Sequence, residues 1–190
     1  MFARPGGRSI RRTLEKQHLR GHHAQRQFHT GQADAGAVLW RMSTSGSAYA
    51  RSFLMHRNAL VSVLERVPAD QADFKAWQEG MSFMRLTDHL SGSVLRMNAM
   101  LQGQTPEKIE PSGDWNAALE RMKSSTTHAT ALLEGLSEET LGRVIPIFGT
   151  QMPISGMIEF LISHETHHKG QIWMMARMIG LEPPMFVKMG

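Results

Sequence analysis

Four stretches of this chain carry apolar residues at steps of three, four and seven, the spacing of an amphipathic α-helix. The first runs from about Ser47 to Val67 and stops at Pro68; its stripe is Tyr49, Phe53, Leu60, Leu64 and Val67, with His56 on the same face. The second starts near Ser82, an N-cap residue, and reaches Gln102 before Gly103, with Phe83, Leu86, Leu90, Val94, Met97 and Leu101 inward. The third begins at Ser112 or Asp114 and ends at Gly135; its inward residues are read as Leu119, Met122, Ala129, Leu132 and Leu136. The fourth opens with Pro153 in its first turn and ends at Gly180, where Pro183 and Pro184 prevent continuation. Four such helices can bury their stripes only against one another, so the sequence predicts an all-α four-helix bundle. Between the third and fourth helices, two short apolar runs flank Gly149-Thr150. They predict a short hairpin or extended crossover, with Pro146 limiting its pairing.

The chain divides at about residue 46. Residues 1–46 hold eight Lys/Arg against two Asp/Glu, while residues 47–190 hold thirteen against fifteen. The basic character therefore belongs to a leader, read as disordered, and not to the bundle at 47–190. A basic arm for nucleic acid and an organelle transit peptide are two explanations of it. The favoured one is an upstream extension from a mis-assigned start, with Met42 as the true first residue. His22, His23 and His29 in this leader are read as solvated. A slightly negative body gives no footing for nucleic-acid binding. No apolar run nears the ~20 residues that cross a bilayer, and the expected location is cytoplasmic.

With no Cys in the chain, disulfides, thiolate metal sites and cysteine nucleophiles are excluded. Any metal must rest on imidazole, carboxylate and water. The fifteen Met are read as flexible core filler. On the fourth helix the inward positions are Ile154, Met157, Leu161, His164, His168, Gln171, Met175 and Met178. His164 and His168 thus stack one turn apart on the core stripe, half of a transition-metal site. Two imidazoles in a Met/Leu core each need a partner, and a shared cation supplies both. A third ligand should come from another helix. His89, beside Leu90, is the first candidate and His56 the second; His128 falls on the outer face of the third helix.

The string Leu161-Ile-Ser-His164-Glu165-Thr-His167-His168-Lys169-Gly170-Gln171-Ile resembles the signature of the DinB/YfiT-like superfamily of four-helix-bundle metalloproteins. Phe148-Gly149-Thr150-Gln-Met-Pro153, Gly180-Leu-Glu-Pro183-Pro184, Asp88-His89-Leu90 and Asp114-Trp115 match its usual flanks, over roughly residues 47–186. The resemblance implies a divalent metal, zinc or nickel, on His89, His164 and His168, and a homodimer. Relatives such as bacillithiol S-transferases handle a low-molecular-weight thiol, which implies a thiol cosubstrate.

The leading functional expectation is a metal-dependent enzyme. Three imidazoles leave coordination positions open for thiol or water, which makes it a transferase or a hydrolase. Glu165, His167 and Gln171 are candidates for orienting the ligands or holding a water. The alternative is a non-catalytic, metal-bound stress-response module. His164-Glu165-Thr166-His167-His168 also satisfies H-E-x-x-H, the peptidase motif in which Glu165 would be the general base. The extended motif needs Gly at 171 and His at 174, where this chain has Gln171 and Met174.

Overall fold

A computed structural model describes residues 45–147 and 149–189. The leader lies outside these residues, and with it Met42, His22, His23 and His29. Four long helices form the body: α1 (Gly46–Leu64), α2 (Phe83–Leu101), α3 (Trp115–Glu134) and, after a short α4 (Glu138–Gly142) and a hairpin, α5 (Ile154–Met178). Each start is set by local chemistry. The side chains of Ser45, Ser82, Asp114 and Ser137 accept from the backbone N–H three residues on, satisfying a donor the first turn leaves open. α1 and α2 each pack against both α3 and α5, so α1 and α2 stand across a diagonal of the bundle. Gly46 makes the tight start of α1 possible. A Cβ there would meet Leu133 O of α3 at 2.1 Å.

The hairpin expected after the third helix is present. β1 (Val144–Ile147) pairs antiparallel with β2 (Thr150–Pro153), from Val144 opposite Pro153 to Ile147 opposite Thr150. Gly149 takes φ +77° in the turn, a conformation a Cβ disfavours. Pro146 does not stop the pairing: it faces Gln151 within the ladder, and both strands of a two-stranded sheet are edges, where a missing N–H can point outward.

Several sequence expectations need correction. α4 was not expected; five residues are too few to show a period. Pro153 is the cap before α5, in extended conformation, rather than a first-turn residue. On α3 the buried side chains are Trp115, Ala118, Met122, Ser125, Ala129 and Leu133, while Leu119, Leu132 and Leu136 are only partly covered. The true face is rotated by one residue from the one expected over part of that helix. On α5 the centre of the buried face is Ile158, Leu161, Glu165, Ile172 and Ala176; Met178 is 53% exposed and His164 is half-buried.

The core falls into two apolar clusters along the bundle. One gathers Leu60, Leu64, Phe83, Leu90, Met122 and Ile172, and the other Phe53, Val94, Ala129, Leu133, Ile154 and Ile158. Between them on each helix lie buried polar residues: Arg57 on α1, Ser91 on α2, Ser125 on α3 and Glu165 on α5. Arg57 Nη2 donates to Glu165 Oε1 and Arg57 Nη1 to the sulfur of Met122. The bundle thus carries a polar layer at its waist. No helix among the described residues is long and apolar enough to cross a membrane.

Candidate metal centre

At the edge of this layer, α2 and α5 bring three histidines together. One ring nitrogen from each of His89, His164 and His168 lies within 4.8 Å of the others. The ring centroids are 4.8 Å apart for His89 and His164, 4.7 Å for His89 and His168, and 4.5 Å for His164 and His168. His168 is buried while His89 and His164 are half-buried. The cluster therefore opens to solvent at the rim of the bundle and does not sit on the core axis, as the stripe reading of the fourth helix implied.

The donor set suits a cation. Nε2 of His89 and Nε2 of His164 face each other at 2.8 Å. Two lone pairs cannot stand so close unless a proton or a cation lies between them. The other nitrogen of His164, Nδ1, is buried without a partner among the described residues. At His168 the amide oxygen of Gln171 lies 2.7 Å from Nδ1. A carbonyl oxygen only accepts, so Nδ1 carries the hydrogen and Nε2 presents its lone pair. With one ring nitrogen from each histidine within 4.8 Å of the others, a single divalent cation could be held by all three. Among the described residues no carboxylate joins the group.

Protonation is settled in the same direction. Burial pulls His164 down to about 4, helped by His168, His89, His167 and Arg96 nearby. Burial likewise lowers His89, with His168 and Arg96 adding to it. His168 is lowered by burial and partly restored by its bond to Gln171. All three are neutral at neutral pH, which is the form that donates to a metal.

The neighbouring elements fix His89 in place. Asp88 accepts from Ser112 N at 2.8 Å, from Ser112 Oγ at 2.7 Å and from Arg121 Nη1 at 2.8 Å. These bonds tie α2 to α3 and to the loop before it. Beside the histidines a cleft of 310 Å³ is lined by Met97, Met100, Ile147, Met157 and Leu161, with His89 and His164 at its wall. The hairpin contributes Ile147.

The remaining sequence candidates lie elsewhere. His56 pairs with Lys169 Nζ at 2.7 Å and is not in the group. His128 is exposed, as expected. His167 is exposed too; its ring touches that of His168 from the side, with centroids 4.8 Å apart. Gln171 is hydrogen-bonded to His168. Glu165 makes no bond to the three histidines: it is 1% exposed and turned to Arg57. Burial pushes its carboxyl up to about 7, against the pull of Arg57 and Lys169. A carboxylate so enclosed cannot serve as the solvent-facing base of an H-E-x-x-H peptidase. The sequence reading missed Arg57, a lone charge inside an apolar run. It also missed Arg85 and Arg96, although their spacing from His89, four before and seven after, is a same-face signal.

Fold and site together define a class: a helical bundle carrying a three-histidine constellation across two of its helices. The chain belongs to the DinB family, whose pattern matches residues 42–189. It is similar to YjoA, an uncharacterized protein of Bacillus subtilis strain 168, with 29% identity over 136 residues, 67% of this chain and 86% of that one. A second B. subtilis protein, the uncharacterized YrdA, is 36% identical over 62 residues, which is 37% of its length. The crystal structure of the DinB-like YjoA superposes with a TM-score of 0.64 at 27% identity, covering 74% of this chain and 97% of that one. A DinB-like protein from Bacillus cereus ATCC 10987 shares the fold, with a TM-score of 0.65 at 17% identity over 75% and 98% of the two chains.

Proposed function

We propose that His89, His164 and His168 hold one divalent transition metal, zinc or nickel, and that the protein uses it as an enzyme acting on a low-molecular-weight thiol or on water. The carrying observation is the convergence of three neutral imidazoles at a half-open rim, beside a cleft. A cation held there supplies Lewis acidity, lowering the pKa of a thiol or water near neutral pH. The chain's own groups do the rest. Gln171 fixes the His168 ring, Asp88 anchors the helix segment bearing His89, and Met97, Met157 and Leu161 shield one side of the site from water. In thiol transfer the sulfur forms a bond to an electrophilic carbon, the bond from that carbon to its leaving group breaks, and the thiol proton leaves to solvent. With no Cys in the chain, the thiol must be a cosubstrate.

The alternative of a metal that only braces the fold has less support. Both apolar clusters close without the three histidines. The homodimer implied by the resemblance belongs to the same proposal and is read by sedimentation equilibrium. To test the function, zinc- or nickel-loaded protein is mixed with 2-mercaptoethanol and 1-chloro-2,4-dinitrobenzene, and separately with 4-nitrophenyl acetate. Acceleration of either reaction by loaded protein, lost on chelation and in His164→Ala, is expected. Equal rates with loaded protein, chelated protein and buffer would refute the enzymatic reading.

A further inference from the structure

His89 is shared by two clefts, one lined mainly by apolar side chains and the other by several charged ones. The apolar one, described above, runs toward Met97, Met157 and the hairpin. The other, of 360 Å³, also reaches His89 and is lined by Arg85, Gly92, Arg96, Ile109, Pro111 and neighbouring polar groups. Arg96 borders both clefts.

The charges in the second cleft are unevenly spent. Arg121 is bound to Asp88 at 2.8 Å and to the backbone oxygen of Glu110 at 2.9 Å, and Glu110 faces Lys108 at 2.7 Å. Asp88 is further neutralised by its two bonds from Ser112. Arg85 and Arg96 make no ion pair among the described residues. Arg96 is nevertheless held: its Nη2 donates to Ser93 Oγ at 3.0 Å, and Ser93 Oγ donates to the backbone oxygen of His89 at 2.9 Å. The guanidinium folds back over Gly92, where an added Cβ would come within 3.3 Å of Nη1. The glycine therefore leaves room for a positive group laid along α2 toward His89. A guanidinium fork is suited to carboxylate or phosphate oxygens.

We infer that the site takes a two-part small molecule, an anionic group on Arg85 and Arg96 and an apolar group in the Met97–Met157 cleft, with the reacting atom between them at His89. This deepens the proposed function and rests on it for the reaction, but not for the binding. A neutral apolar molecule would leave the two arginines unused, and a small anion alone would leave the methionine-lined cleft empty.

The test uses 3-phenylpropanoate and its neutral counterpart 3-phenylpropanamide, titrated calorimetrically into chelated and into zinc-loaded full-length protein. In chelated protein the acid is expected to bind about tenfold more tightly than the amide. Arg96→Ala and Arg85→Ala, both at exposed positions, should each reduce that ratio severalfold. Arg51→Ala, exposed on α1, should leave the ratio intact. Equal affinity for acid and amide in chelated wild-type protein would overturn the inference. So would a ratio unchanged by Arg96→Ala. A preference for the acid seen only with zinc present would assign the carboxylate to the metal and overturn it too. A protein that prefers the acid but binds no metal would sink the proposed function and leave this inference standing.

Discussion

Single side chains decide whether the site can work. Gln171 fixes the tautomer of His168 through one hydrogen bond, so its loss should free the ring. Gln171→Ala is expected to weaken zinc affinity about 10–100-fold, read by competition with a chelator; affinity equal to wild type would remove Gln171 from the site. Tyr49 offers a second test, because it is the only tyrosine in the chain. Its hydroxyl donates to Glu159 at 2.9 Å, and burial together with that carboxylate pushes the phenol up from 10.0 to about 12. The fold thus favours the neutral phenol. This contribution is complete below pH 10 and is lost as pH rises through about 12. Tyrosinate absorbance should rise with a midpoint near 12 while the helical circular dichroism persists; a midpoint near 10 in folded protein would contradict it. At this scale the sequence was readable where spacing carries meaning. His164 and His168 one turn apart and His89 beside Leu90 could be picked out. Arg57 could not, because nothing local says that a charge inside an apolar run will be buried and paired from another helix.

At the scale of elements, the caps were the readable part. Ser82 and Gly103 bracket α2 because one supplies a side-chain acceptor and the other tolerates a positive φ, and both are local effects. The rotation of the α3 face was not readable. Leu119 and Ala118, or Leu132 and Leu133, differ by one residue, and only the packed partner decides which points inward. The Arg57–Glu165 pair joins α1 to α5 at the level of the histidines. Removing one member of a buried pair leaves an uncompensated charge and costs about 3–5 kcal/mol. Arg57→Met should show a loss of that size in urea unfolding, and Arg57→Met combined with Glu165→Met should recover part of it. A single-variant loss below about 1 kcal/mol would mean that the polar layer does not hold the two helices together.

In the whole molecule, the bundle and the site are separable. The two apolar clusters supply the fold, while the histidines sit at the edge of the polar layer with one side open. Their stripe had suggested ligands on the core axis. The shift outward follows from Glu165 and Ile172 occupying the centre of α5 instead. A chelator should therefore lower the melting temperature by a few degrees while the helical signal below the transition stays intact; loss of helix on chelation would make the metal structural. The account depends most on the three histidines gripping one cation. Elemental analysis of tag-free protein, beside His89→Ala, His164→Ala, His168→Ala and His128→Ala, measures this directly. One equivalent of a divalent transition metal per chain is expected in wild type and in His128→Ala, and none in the other three. A wild type without metal after incubation with zinc or nickel would contradict the account, as would a full equivalent retained in His168→Ala.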